Sequence, residues 1–176
     1  MRICGLGGQG VVLTGQILGK AAVYDGWNAV QTQSYGAEAR GTTAKSEVII
    51  SASPIGFPMV RKCDILVAMS QEALDKNVND LKEGGFLLID GEIVKSVPRI
   101  NAKVYAVLAA KIAEENFGDS LYANMVILGA LNKLTNLVRD ESVEKAIAET
   151  VPKSTVAINV QAYRKGKGSE AKLLFS

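Results

Sequence analysis

Apolar positions along the chain fall into short blocks whose period switches between that of a strand and that of a helix, with glycines at many of the switches. The opening "RICGLGGQG" is an apolar run that closes in glycines. In "VVLTGQILGKAAVYDG" the residues Val12, Ile17, Leu18 and Ala22 then recur at helical spacing, so the start reads as strand, tight turn, helix. "NAVQTQS" predicts a second strand. "TAKSEVIIS" predicts a third, alternating at its start, and "ILVAMS" has the continuous apolar character of a strand buried on both faces. Ser70 is placed to cap a helix over "QEALDKNVNDLKEGG", with acids early and Gly84 and Gly85 as its terminator. "FLLID" and "KVYAVLA" predict two further strands. Helices are expected over "LAAKIAEENFG", "SLYANMVILGALNKLTNLV" and "ESVEKAIAETVP", and another over Ser154 to Arg164. "SASPIGFPMVRK", with Pro54 and Pro58, is an irregular excursion, and "KGSEAKLLFS" reads as a polar tail with a small apolar end.

This alternation predicts an α/β fold: a single Rossmann-like domain over residues 1–176, its mostly parallel sheet covered by helices on both faces. No internal repeat, low-complexity segment or linker interrupts it. With 176 residues and 48% hydrophobic content the chain can bury a core of its own. The apolar face of "LYANMVILGALNKL" belongs to that core, and Asn124, Asn132 and Lys133 break it well short of a membrane span.

Composition narrows the chemistry. The net charge is only +2 with Lys and Arg scattered, which argues against nucleic acid as a partner; no membrane association is expected either. Cys4 and Cys63 lie far apart in apolar contexts and read as buried, reduced thiols of a cytoplasmic protein, not as metal ligands. There is no histidine, hence no imidazole base or catalytic triad. A C-x-x-C pair for a cluster and a G-x-x-x-x-G-K-[ST] loop for nucleotide hydrolysis are absent too. No residue is assigned as catalytic and none as a metal ligand.

Two loops carry the remaining signal. Gly5, Gly7 and Gly10 match G-x-G-x-x-G between a strand and a helix, where glycines let backbone approach a phosphate and the helix N-terminus offers unpaired N–H groups. A nicotinamide dinucleotide also needs an acid roughly 20 residues on, to hold the ribose hydroxyls. Here the second strand offers Gln31, Gln33 and Ser34, so the glycines equally suit close packing of strand and helix. The second loop, "QSYGAEARGT", follows the second strand at the edge where such sheets bind ligands. Arg40 brings a forked set of donors for a carboxylate, a phosphate or a partner carbonyl, and Glu38 can steady the fork between Gly36 and Gly41. A solvated loop without a ligand has the same composition.

Taken together, "GLGGQGVVLTGQILGKAA", "QSYGAEARGTTAKSEVIIS" and "CDILVAMSQEALDK" closely resemble the gamma subunit of 2-oxoacid:ferredoxin oxidoreductases, down to about Val138. The wording of "SEVIIS" and "LVAMSQEA" is most similar to the 2-oxoglutarate branch (2-oxoglutarate synthase). The family usually has proline where this chain has Ala37 and glycine where it has Thr42. The resemblance implies one part of a hetero-oligomer that decarboxylates a 2-oxoacid oxidatively, forms the coenzyme A thioester and passes electrons to ferredoxin. It implies thiamine diphosphate on alpha and beta subunits, iron–sulfur clusters on a cluster-binding subunit, and no cofactor held by this chain alone. A gamma-type domain would pack on the thiamine-binding subunits and help form the coenzyme A region. On that footing Gly7, Gly8, Gln9 and Gly10 would meet a phosphate or a partner backbone, and Tyr35, Glu38 and Arg40 the ligand mouth or the interface. Three other readings stay open: the same subunit role in a pyruvate or branched-chain oxoacid complex, a self-contained nicotinamide enzyme, and a nucleotide- or anion-binding module that senses its ligand without turnover.

Overall fold

The structure, a computed structural model, describes residues 1–35 and 42–176. In chain order the elements are β1 (Arg2–Leu6), α1 (Val11–Tyr24), β2 (Asn28–Tyr35), β3 (Thr43–Ser51), β4 (Cys63–Ala68), α2 (Gln71–Asn77) and β5 (Leu81–Asp90). They continue with β6 (Ala102–Val107), α3 (Ala109–Phe117), α4 (Ala123–Thr135), α5 (Asp140–Thr150), α6 (Val156–Gly168) and β7 (Lys172–Phe175). Among the described residues the strands form one sheet in the order β2-β3-β1-β4-β5-β6-β7.

The centre of the sheet is parallel, β1 to β4 to β5 to β6. β3 runs antiparallel to both β1 and β2, and β7 runs antiparallel to β6. β2 therefore points the same way as β1, and only β3 and β7 oppose the rest. The expected α/β sheet with its mostly parallel direction is thus found, with an antiparallel strand near each flank.

Burial explains the layers. Along β1, Ile3 faces the core shared by α1, α3, α4, α5 and α6, whereas Cys4 faces the other core with Ala73 and Leu74 of α2. Both faces are covered, but unequally: α2 shares its face with the non-helical Val60, Val94, Val97 and Ile100. α4 is buried over all of Ala123–Asn132, as its continuous apolar run demands. It crosses α6 backbone to backbone. A Cβ at Gly129 would collide with the Tyr163 carbonyl and one at Gly166 with the Val126 carbonyl, so only glycine permits the approach. At the same crossing Tyr163 donates to Asp140 at 2.6 Å and accepts from Asn132 at 2.9 Å, joining α4, α5 and α6.

Three sequence expectations need correction. The helix after Ser70 does not run to Gly84; it stops at Asn77 and a 3-10 turn, Val78–Asp80, leads straight into β5. Tertiary contacts end it. Leu81 pairs with Cys63 on β4, and the Arg2 guanidinium takes Asn77 at 3.1 Å and Asp80 at 2.5 Å. Gly84, at φ 69°, turns the chain within β5 instead of capping a helix. The final segment is not a free tail: Lys172–Phe175 adds β7 to the edge of β6. The last helix also runs on past Arg164 to Gly168.

Arg2 is the other element the pattern gave no sign of. Only 2% exposed, it donates to Glu47 at 2.8 Å and to the Val60 carbonyl at 3.0 Å as well as to Asn77 and Asp80. One side chain thereby pins β1, β3, the turn before β5 and the end of the irregular 52–62 segment. A buried guanidinium is tolerable only because its donors are met by carboxylates and carbonyls.

Candidate functional site at the carboxyl edge

The crossover through α1 lies on one face of the sheet and that through α2 on the other, so the carboxyl ends of β1 and β4 form the topological switch point where open α/β sheets take ligands. The glycine loop occupies this place. Gly8 (φ 93°) and Gly10 (φ 71°) both hold left-handed backbone that a side chain would strain. Gly10 is the N-cap of α1 and has no side chain to offer, which leaves the first-turn N–H groups of the helix without a side-chain cap. A Cβ there would also strike the Asn124 amide, which is buried at the start of α4 and turned toward Gly10 by accepting from the Met125 N–H at 2.9 Å.

Gln9 does something the motif does not announce. Its Oε1 accepts from the Leu6 N–H at 2.6 Å and its Nε2 donates to the Met69 carbonyl at 3.0 Å. The side chain therefore bridges the ends of β1 and β4 and fills the switch-point cleft from within. Gly7 and Gly8 remain exposed, and the Gly7 N–H donates to the Thr42 carbonyl at 2.9 Å. Open space lies one step along the edge, in a cavity of about 190 Å³ between Gly8, Gln9, Met69, Ile93, Ser120 and Leu121. This is less than the volume of a pocket that encloses a whole drug-sized ligand, and it suits one end of a longer molecule.

The described ends of the second loop stand beside the first. Tyr35 closes β2 opposite Ala44, is 61% exposed, and stands on the same carboxyl edge as Gly7. Thr42, where the chain returns, is hydrogen-bonded to Gly7. Glu38 and Arg40 lie outside the described residues. The end of β2 carries Gln33, Ser34 and Tyr35 and no acid, and Gln31 spends its amide on the Val12 carbonyl at 2.9 Å and Ser46 at 2.8 Å. The ribose-binding partner of a nicotinamide site is missing from this strand.

Asp90 was passed over in the sequence, although an acid closing the apolar run "FLLID" just before a glycine is a visible signal. It is fully buried at the end of β5, where Oδ1 accepts from the Glu92 N–H at 3.0 Å and Oδ2 from the Ala110 N–H at 2.9 Å. Burial pushes its pKa up, against the pull of those backbone donors. Its position holds the start of α3, one wall of the cavity, against the sheet. Cys4 and Cys63 are buried free thiols, and burial pushes Cys4 up to about 12, far from reactive thiolate character. Among the described residues no cluster of three or more His, Cys, Asp or Glu side chains is placed to hold a metal, and no helix is long and apolar enough to cross a membrane.

Comparison with known proteins decides the family. A profile of the pyruvate ferredoxin/flavodoxin oxidoreductase family matches residues 1–168. The chain belongs to this family. Its similarity reaches well beyond Val138, where the motif resemblance stopped. The 2-oxoglutarate synthase subunit KorC of Methanocaldococcus jannaschii is 51% identical over 169 residues, 94% of this chain and 90% of that protein. A keto/oxoacid ferredoxin oxidoreductase gamma subunit from Geobacter sulfurreducens superposes with a TM-score of 0.83 at 45% identity, over 94% of each chain. The 2-oxoglutarate:ferredoxin oxidoreductase of Magnetococcus marinus, solved with 2-oxoglutarate, coenzyme A and succinyl-CoA, gives a TM-score of 0.85 at 25% identity. There the oxidoreductase fold of this chain, 95% of it, accounts for 30% of a longer polypeptide.

Proposed function

We propose that this chain is the gamma subunit of a cytoplasmic 2-oxoglutarate:ferredoxin oxidoreductase. The complex would convert 2-oxoglutarate and coenzyme A to succinyl-CoA and carbon dioxide while two oxidised ferredoxins each take one electron and one proton is released. The observation that carries this reading is the likeness to KorC over nearly the full length of both chains. Thiamine diphosphate and the iron–sulfur clusters belong to the alpha, beta and cluster-binding subunits, and ferredoxin docks on the assembled complex. A chain without histidine, whose two cysteines are buried, supports a role in binding and assembly.

Within that role the carboxyl edge meets coenzyme A. The exposed backbone of Gly8 and the uncapped start of α1 offer N–H groups and a partial positive charge to a phosphate, while the Gly7 N–H is held by the Thr42 carbonyl. Tyr35, exposed at the end of β2, stands at the same mouth, and Glu38 and Arg40, outside the described residues, are assigned to it on the motif alone. Gln9 acts as the strut that holds the loop in shape, because both ends of its amide are engaged inside the protein. A Cβ at Gly8 meets nothing within 4 Å, so Gly8→Ala adds bulk only where a ligand would approach and strains only one residue. In the assembled enzyme it should raise the KM for coenzyme A by about tenfold and leave that for 2-oxoglutarate unchanged. Equal KM values for coenzyme A in the two enzymes would remove the glycine loop from the ligand site.

A further inference from the structure

The opposite, amino edge of the sheet carries a larger concavity, about 620 Å³, that the ligand site does not use. Its floor is apolar, formed by Val48, Ile50, Ile65 and Leu137. Its rim is the irregular 52–62 segment, which sets Phe57 and Met59 at 59% and 62% exposure. Two large apolar side chains held out beside an apolar groove are the composition of an interface centre. The rim is preformed: Pro54 and Pro58 restrict the segment and Arg2 binds its Val60 carbonyl at 3.0 Å.

Charge says what fits there. Arg61, Lys62 and Lys82 line the groove against a single acid, Asp64. Asp64 is paired to Lys82 at 2.5 Å, and Lys62 donates to the Asn79 carbonyl. Among the described residues Arg61 has no ion pair, so the rim is left with a cationic excess.

Chain direction says which body brings it. β1 begins at Arg2, and β7 ends at Phe175, opposite Val104 near the start of β6, so both ends of the fold leave from the amino half of the sheet. In the longer Magnetococcus chain this fold is 30% of the polypeptide, and sequence joined to either end of the fold would depart from this half. The carboxyl edge must meanwhile stay open to ligand.

We propose that the amino-edge groove is the seat of the partner subunit equivalent to the rest of that longer chain, entered by an apolar segment flanked by acidic side chains. This rests on the gamma-subunit reading above. It assigns the two edges of one sheet to two tasks, assembly below and ligand above.

The test uses the co-produced complex, with assembly read by size-exclusion chromatography and mass photometry, and with circular dichroism of each isolated variant as the check on folding. The double variant Phe57→Asp/Met59→Asp should weaken association of this chain with its partners by about 30-fold or more. Arg61→Glu, which changes only an exposed side chain, should weaken it by about tenfold and more steeply at low salt. Leu121→Asp, at the carboxyl edge, should leave assembly intact. Wild-type assembly by a folded Phe57→Asp/Met59→Asp chain, or by Arg61→Glu if the double variant does not fold, overturns the proposal. So does a dimer of the isolated wild-type chain that the double variant alone dissolves, which would give the groove to a second copy. If the wild-type chain joins no larger subunit at all, the gamma-subunit reading fails as well, and the two failures are told apart by that wild-type control.

Discussion

The two edges of the sheet are built by opposite strategies. At the amino edge the polar work is done by long, charged side chains: Arg2 gathers Glu47, Asn77, Asp80 and the Val60 carbonyl into one buried knot beside an apolar groove. At the carboxyl edge it is done by backbone and short side chains. Gly7, Gly8 and Gly10 keep the chain bare, Gln9 and Asp90 are turned inward to brace it, and the first turn of α1 is left without a side-chain cap. On the roles proposed above, an edge that grips protein tolerates bulk and charge, whereas one that takes a phosphate-bearing ligand needs uncluttered backbone.

Breaking the amino knot should have the largest effect. Arg2→Met leaves Glu47 half of a buried pair and frees the 52–62 segment, and should cost about 3 kcal/mol in urea unfolding. A loss below about 1 kcal/mol would mean the knot is solvated and does not anchor the rim. Next comes Gly10→Ala, which meets both a left-handed backbone and the Asn124 amide, for about 2 kcal/mol. Adding Asn124→Ala should recover the collision and not the backbone strain; full additivity of the two losses would contradict the contact. Gln9→Ala should cost about 1 kcal/mol, since it leaves the Leu6 N–H and Met69 carbonyl to find water at a partly open site.

The smallest effect sharpens the carboxyl edge by pH. Burial raises the Asp90 pKa in the folded protein above its ordinary value of 3.8, so the folded state holds the proton more tightly than the unfolded one. The contribution is complete below that ordinary value and is lost as pH rises through the raised, folded value. The difference in unfolding free energy between wild type and Asp90→Asn should therefore slope against the wild type as pH climbs from 3.8, and level off above the folded value. A difference that rises with pH would show that the backbone donors outweigh burial.

What could be read in the sequence was what is local. The strand, glycine turn and helix at the start declare themselves within about 20 residues, and so does the cap at Ser70, whose hydroxyl accepts from the Ala73 N–H. The helix that should have reached Gly84 ends early because Arg2, more than 70 residues away, claims Asn77 and Asp80. No window of sequence contains that. β7 was hidden for the same reason: Lys172–Phe175 is too short to show a period and becomes a strand by pairing with β6. In the site, the glycines were visible as a motif but the inward turn of Gln9 was not, because its partner Met69 lies just past the end of β4, about 60 residues on.

One measurement bears most directly on the central claim. Purified complex, complex lacking this chain, and this chain alone would each be assayed for methyl viologen reduction with 2-oxoglutarate and coenzyme A, and with pyruvate and a branched-chain 2-oxoacid in parallel. The gamma-subunit account predicts turnover of 2-oxoglutarate by the complete complex, its loss when this chain is omitted, and none by this chain alone. Turnover by the isolated chain, or full activity of the complex without it, would contradict the account.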